Sequence, residues 1–167
     1  MPMLSPEGTS AWARRLGIDA ATTTNMGERL ALPQDFADML GWEELAATTA
    51  RVAATLTPAE RATVVIVGDN YGEAGALELY GARWRLPPVV SPAGSYWFFG
   101  PGARPGDPVI VVGEEPEDPA PYFASCTLAA RTNNPWGVPE ERAVPITLCR
   151  GARTTLQALW PSLAGQQ

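Results

Sequence analysis

The sequence contains no histidine and no lysine, because all twelve basic residues are arginines. The lack of histidine excludes Ser-His-Asp and Cys-His nucleophile systems and every histidine-ligated metal site. The lack of lysine excludes the lysine of phosphate-binding loops and Schiff-base catalysis. Two cysteines are too few for a four-thiolate zinc site. Any catalysis would therefore use aspartate, glutamate, tyrosine, serine, threonine or arginine.

Long apolar runs and clusters of basic residues are also absent. No window approaches the roughly 18 consecutive apolar residues that a membrane-spanning helix needs. The formal net charge is -6, which argues against a nucleic-acid partner because phosphate neutralisation dominates such binding. With 167 residues, 46% hydrophobic and 18% charged, the chain is predicted to be a single soluble domain over residues 1–167.

Helical and strand patterns divide the chain into two parts. Residues 1–60 contain helical patterns and are predicted to form a helical N-terminal part. In residues 61–167, apolar runs alternate with helical patterns, and the runs at 62–67 and 109–113 are typical of strands buried on both faces. This alternation predicts an α/β core with a parallel sheet and right-handed crossovers. The predicted fold is therefore a three-layer, Rossmann-like, mostly parallel sheet with an N-terminal helical extension.

Ligands of parallel sheets bind beyond the carboxyl ends of the strands, and four segments are predicted to meet there. They are residues 69–73, 91–97, 113–115 and 131–134. The candidate ligand-binding residues within them are Asp69, Asn70, Tyr71, Glu73, Ser95, Tyr96, Trp97 and Asn133.

The turn after the first buried strand resembles a nucleotide-binding turn but lacks its defining residues. Gly68 is followed by Gly72 and Gly75, so the G-x-G-x-x-G spacing fails, and no Gly-Lys pair is present. A helix N-terminus can still hold an anion through its free N–H groups. Alternatively, Asn70 caps the helix and Glu73, three residues later, completes a capping box. The sequence leaves both roles open, and they are compatible.

Two further segments have a structural and a functional interpretation. Residues 95–99 form the densest aromatic cluster, which either stacks on sugar rings or covers the sheet end or a partner surface. The acidic run at 114–118 either binds a divalent cation through oxygen ligands or forms a solvated helix start, and the solvated start is favoured. We therefore expect neither a metal nor a cofactor in this chain.

Cys126 and Cys149 lie in candidate strands, and the residues alone leave their state open. In a reducing compartment they would be two buried thiols. In an oxidising compartment they would form one disulfide that closes a loop of about two dozen residues, which adds roughly 3 kcal/mol of stability in the chain-entropy model.

Four stretches, in this order and spacing, carry a resemblance to a known family. They are residues 32–44, residues 70–76, residues 95–101, and residues 149–151 together with 159–161. Together they resemble the C-terminal soluble domain of bacterial membrane glycosyltransferases of family 39, which are similar to dolichyl-phosphate-mannose protein mannosyltransferases. The similarity runs from about Leu4 to Leu163. One departure is Pro92-Ala93-Gly94, which stands where relatives have a Gly-His-Asn-like triplet, and it puts any ligand held by that triplet in doubt.

The resemblance implies a context for the chain. Such enzymes are polytopic membrane proteins that take a sugar from a polyprenyl-phosphate donor, and their catalytic acidic residues lie among the membrane spans. The chain is then expected to be a non-catalytic domain at the extracytoplasmic face of a bacterial membrane. Its expected partners are the membrane domain of the parent glycosyltransferase and a glycan or lipid-linked sugar. An extracytoplasmic setting favours the Cys126–Cys149 disulfide.

Two alternatives remain beside this expectation. The chain is either a free-standing ligand-binding domain or enzyme, in which Glu73 would act as the acid/base, or a pure interaction module. In the first, Asp69, Tyr71 and Asn133 would line the site with Glu73. In the second, the aromatic segment around Trp97 would dock to another protein.

Overall fold

The computed structural model describes residues 4–17 and 30–164 of the chain. The chain divides into two compact units. The N-terminal unit comprises residues 1–41 and 133–143, and the sheet unit comprises residues 42–132 and 144–167.

The N-terminal unit contains α1 (Pro6–Leu16) and α2 (Gln34–Ala37). Ser5 caps α1 by accepting a hydrogen bond from the Gly8 N–H at 3.2 Å. The helix ends at Gly17, whose φ of 68° glycine adopts without steric cost. Leu30, Ala37 and Val138 form a small buried apolar cluster in this unit.

The sheet unit contains α3 (Trp42–Ala54), α4 (Pro58–Thr63), α5 (Tyr71–Gly81) and α6 (Leu156–Leu159). A capping box formed by Thr57 and Glu60 fixes the start of α4, as the sequence predicts. The sequence predicts α3 in the helical N-terminal part, whereas α3 belongs to the sheet unit. None of the helices within the described residues is long and apolar enough to cross a membrane.

Five strands form one mixed sheet in the order β2-β1-β3-β5-β4. The strands are β1 (Val65–Gly68), β2 (Val89–Val90), β3 (Val109–Val112), β4 (Phe123–Arg131) and β5 (Pro145–Ala152). β1 pairs in parallel with both β2 and β3, whereas β5 pairs antiparallel with both β3 and β4.

The predicted α/β class is confirmed, but the mostly parallel, Rossmann-like sheet is not. Two of the four strand pairings are antiparallel, because β5 returns directly alongside β4 without a crossover helix between them. Since β3 and β4 both run antiparallel to β5, the ends of β1, β3 and β4 still point to the same edge. That edge is the one at which the sequence predicts ligand binding.

The two faces of the sheet are covered to different degrees. On one face, Ile66, Ile110 and Ile146 pack against α3 and α5 in the main core. On the other face, Val65 packs against Leu156 and Trp160 of the C-terminal segment, while Val109 and Val111 pack near Phe123 in a separate cluster. The second face therefore carries small clusters in place of a continuous helical layer, and this leaves room for a cavity.

A disulfide joins Cys126 of β4 to Cys149 of β5, two residues that are direct partners in the strand register. The bond spans 23 positions of the sequence. It links the edge strand to its neighbour, and it confirms the predicted pairing.

Candidate functional site

The turn that follows β1 is held by a capping box. The Asn70 side chain accepts a hydrogen bond from the Glu73 N–H at 2.9 Å, and the Glu73 carboxylate accepts from the Asn70 N–H at 3.4 Å. The same carboxylate also accepts from the Asp69 N–H at 3.1 Å. Glu73 is only 6% exposed. The capping interpretation is therefore confirmed, and the Glu73 carboxylate stabilises the start of its own helix.

Gly113 brings the end of β3 against this turn. Its φ is 102°, a conformation that side-chain-bearing residues rarely adopt. A Cβ at this position would lie 2.6 Å from the Asp69 Cβ and 2.6 Å from Glu73 Oε2. Only glycine therefore allows the residues after β1 and the residues after β3 to approach this closely.

Three carboxylates meet at this edge, and we call Asp69, Glu114 and Asp118 the carboxylate group. Glu114 is half-buried, and burial first, then the charges of Asp69 and Asp118, raise its pKa to about 7. Partial burial first, then the charge of Asp118, also raise the pKa of Asp69. Asp118 accepts a hydrogen bond from the Glu115 N–H at 3.1 Å. When ionised, these three carboxylates repel one another. Binding of a proton or a cation relieves that repulsion.

A cavity of about 180 Å³ lies beside the carboxylate group on the thinly covered face of the sheet. We call it the cleft. Its floor is apolar and consists of Val67, Val109 and Val111 from β1 and β3. The C-terminal segment contributes Leu156, Leu159 and Leu163, and Phe123 lies at the start of β4. Asp69, Glu114 and Asp118 are the ionisable carboxylates of its lining.

The cleft combines an apolar body with acceptors at one end. Apolar walls with a few convergent polar groups are the usual composition of small-molecule sites. Ionised carboxylates are acceptors only, so they suit ligands that present hydroxyl, amine or other N–H groups. A carboxyl with a pKa of about 7 can also give or take a proton near neutral pH.

The aromatic segment lies in the 3-10 helix Gly94–Phe99. The Trp97 indole donates to the Trp160 carbonyl at 3.1 Å, and the Trp160 indole donates to the Trp97 carbonyl at 3.1 Å. Phe98 and Phe99 are 81% and 80% exposed. Trp97 therefore anchors the segment, while the two phenylalanines project from it.

The structure places the other candidate residues outside the cleft. Tyr71 is 68% exposed on α5, and Ser95 is also exposed. Tyr96 donates a hydrogen bond to Glu78, and burial together with this bond raises its pKa to about 12. Asn133 is exposed and belongs to the N-terminal unit. Of the eight sequence candidates, only Asp69 lines the cleft.

The sequence predicts that residues 113–115, and Glu114 with them, lie at the ligand-binding edge. Neither Glu114 nor Asp118 is among the eight candidate residues, because both belong to an acidic run that is expected to be solvated. The sequence feature that could have identified Glu114 is its position. Glu114 comes one glycine after β3, and Asp69 comes directly after β1. Among residues 4–17 and 30–164, no group of three or more Cys, Asp or Glu side chains is placed to hold a metal ion.

No protein-family model, no curated protein and no solved structure matches the chain. The resemblance to family 39 glycosyltransferases stays a prediction.

Proposed function

We propose that the chain is an extracytoplasmic accessory domain of a polyprenyl-phosphate-sugar-dependent membrane glycosyltransferase. It binds a glycan or acceptor in the cleft, and it is not catalytic alone. The family resemblance supplies the context, with its catalytic residues in a membrane part outside this chain. The Cys126–Cys149 disulfide supports an oxidising compartment, because disulfides rarely persist in a reducing cytosol.

The cleft is the observation that carries the proposal. A sugar ring presents hydroxyl groups around its edge and C–H groups on its faces. The hydroxyl groups suit acceptors such as the carboxylates of Asp69 and Glu114, and the C–H groups suit an apolar floor such as Val67 and Val111. The carboxylate end of the cleft lies just beyond the carboxyl ends of β1 and β3, where α/β sheets bind ligands.

A binding experiment with the purified chain tests the proposal. Neutral oligosaccharides are titrated into the ¹⁵N-labelled protein, and the amide signals are followed by NMR. We expect saturable shifts at Asp69 and at residues 113–115. Asp69→Asn should weaken binding, whereas Glu117→Gln, an exposed neighbour outside the cleft lining, should leave it unchanged. Sugar transfer by the isolated chain, or shifts at a different surface, would contradict the proposal.

The aromatic segment supports a second role, docking on a partner such as the membrane domain. Phe98 and Phe99 are adjacent, exposed and held on a segment anchored by Trp97. Exposed aromatic side chains are frequent anchors of protein interfaces. Replacing both phenylalanines with serine should abolish association with the membrane domain in a pull-down, with little loss of stability. Undiminished association of this double variant would remove the docking role.

Catalysis by a free-standing enzyme is the third candidate, and its acid/base would be Glu114. The pKa of Glu114, raised to about 7, suits proton transfer, whereas the Glu73 carboxylate accepts backbone hydrogen bonds in its cap. If hydrolysis of a nitrophenyl glycoside is detected, Glu114→Gln should abolish it. A detected activity that survives Glu114→Gln would reject this assignment.

A further inference from the structure

The cleft has room for one ring-sized group. Its volume is about 180 Å³, and an engineered apolar cavity of roughly 150 Å³ is known to bind benzene. The floor and the C-terminal wall consist of aliphatic side chains, among them Val67, Val111 and Leu159. An apolar body of about six heavy atoms therefore fits the interior.

The polar end of the cleft is negative. Asp69, Glu114 and Asp118 all line it, and among the described residues no arginine does. Within the described part of the chain, no hydrogen bond or ion pair reaches the half-buried Glu114 carboxylate. The nearby ion pair of Arg131 involves Glu115, which does not line the cleft. A ligand whose apolar end fills the cleft therefore has its other end beside three carboxylates and beside no cation of the described lining.

We propose that the cleft binds an organic ammonium ion, a primary amine carried on a ring-sized apolar body. The ammonium group lies against Glu114, with Asp69 and Asp118 beside it, and the apolar body packs on Val67 and Val111. The ammonium has three donors and no acceptor, which complements a set of acceptor-only carboxylates. This inference rests on the proposed function because it specifies what the ligand of the same cleft carries.

Charge, more than shape, is expected to select the ligand. A neutral alcohol of the same shape gains the same apolar contacts but donates only one hydrogen bond and carries no charge. Hydrogen bonds between ionised partners are roughly twice as strong as neutral ones. The amine should therefore bind at least about tenfold more tightly than the matched alcohol, a ratio that corresponds to about 1.4 kcal/mol.

Cyclohexylamine and cyclohexanol are the matched probes. Each is titrated into the full ¹⁵N-labelled chain with its disulfide intact, at pH 8, where the carboxylates are ionised. Cyclohexylamine should give saturable shifts at Asp69 and at residues 113–115, and cyclohexanol should bind at least about tenfold more weakly. Glu114→Gln should weaken amine binding about tenfold, whereas Glu117→Gln should not change it. Asp118→Asn, at an exposed position, provides the same test if Glu114→Gln does not fold.

Several outcomes would overturn the inference. Equal affinity for cyclohexanol and cyclohexylamine would show that charge does not matter. Unchanged amine binding by both Glu114→Gln and Asp118→Asn would show that the carboxylates do not hold the amine. Saturable displacement of the amine by millimolar Ca²⁺ or Mg²⁺ would make the cleft a metal site. Binding of a neutral oligosaccharide without binding of the amine would leave the proposed function standing, and binding of neither would reject both.

Discussion

At the scale of single residues, Gly113 decides how closely the two sides of the candidate site approach. Its φ of 102° is compatible with glycine, and a Cβ would meet the Asp69 Cβ and the Glu73 carboxylate at 2.6 Å. Both the backbone conformation and the space therefore require glycine. The apposition of Asp69 and Glu114 depends on this one position.

Gly113→Ala should lower the free energy of unfolding by more than about 2 kcal/mol, because a strained backbone region alone costs about 1–3 kcal/mol. Urea denaturation followed by circular dichroism measures the loss. Gly75→Ala is the matched control: Gly75 lies inside α5 and its added Cβ would have no neighbour within 4 Å. That change should stabilise the protein by about 0.5–1 kcal/mol. Equal effects of the two substitutions would contradict the steric account.

Glu114 should make the stability depend on pH. Burial and the neighbouring charges raise its pKa from an ordinary 4.5 to about 7, so the folded protein holds this proton more tightly than the unfolded chain. The contribution of Glu114 to the free energy of unfolding is fully present below pH 4.5 and is lost as the pH rises to about 7. The free energy of unfolding of Glu114→Gln, relative to that of the wild type, should therefore increase as the pH rises from 4.5 to 8. Parallel curves of unfolding free energy against pH for the two proteins would refute the raised pKa.

At the scale of elements, the 3-10 helix Gly94–Phe99 is attached to the C-terminal segment by two reciprocal hydrogen bonds. Each of Trp97 and Trp160 donates its indole N–H to the carbonyl of the other at 3.1 Å. Trp160 is buried and also packs near Leu156 in the core of the thinly covered face. This attachment fixes the segment from which Phe98 and Phe99 project.

Trp97→Phe should destabilise the protein by about 1–2 kcal/mol, since the Trp160 carbonyl loses its indole donor. Phe98→Ala serves as the control and should cost less than about 1 kcal/mol, because Phe98 is exposed and loses mainly an edge-on contact with Trp97. Thermal unfolding of the three proteins measures the difference. A larger loss from Phe98→Ala than from Trp97→Phe would reverse the assignment of anchor and projecting residue.

Strand positions could be predicted from the sequence, but strand directions could not. The uninterrupted apolar run at residues 109–112 forms β3 as expected, because four successive β-branched residues are typical of a strand that is covered on both faces. The segment of residues 132–144 between β4 and β5 is long enough for a crossover, which needs about a dozen residues, so its length does not decide the direction. Which of several consecutive aromatic rings is buried also depends on tertiary contacts, here the one between Trp97 and Trp160.

The candidate site was predictable only in part, for a similar reason. Asp69 is a polar residue directly after a buried strand, and this position alone indicates the sheet edge. Glu114 has the same relation to β3, but it begins a run of acidic residues, and such runs are usually solvated. The cleft itself arises from the thin cover on one sheet face, where α6 has only four residues. A sequence pattern does not disclose that missing layer.

At the scale of the whole molecule, the Cys126–Cys149 disulfide links the edge strand β4 to β5, and β5 continues the sheet to β3 and β1. Because the bond spans 23 positions of the sequence, it restricts the unfolded chain much more than it restricts two strands that are already paired. Its main effect is therefore expected on the unfolded state.

Reducing the disulfide should lower the free energy of unfolding by about 3 kcal/mol, the loop-closure entropy of a chain of this length. Guanidinium denaturation with and without a phosphine reductant measures the change. The Cys126→Ala/Cys149→Ala double variant should have the same stability with and without reductant, which separates the bond from any direct effect of the reductant. Because backbone pairing along the whole β4–β5 register also holds the two strands together, the reduced protein should keep its amide dispersion and its cleft below the transition. A reduced protein that loses β4 and β5 as folded strands would instead show that the bond holds the sheet edge together.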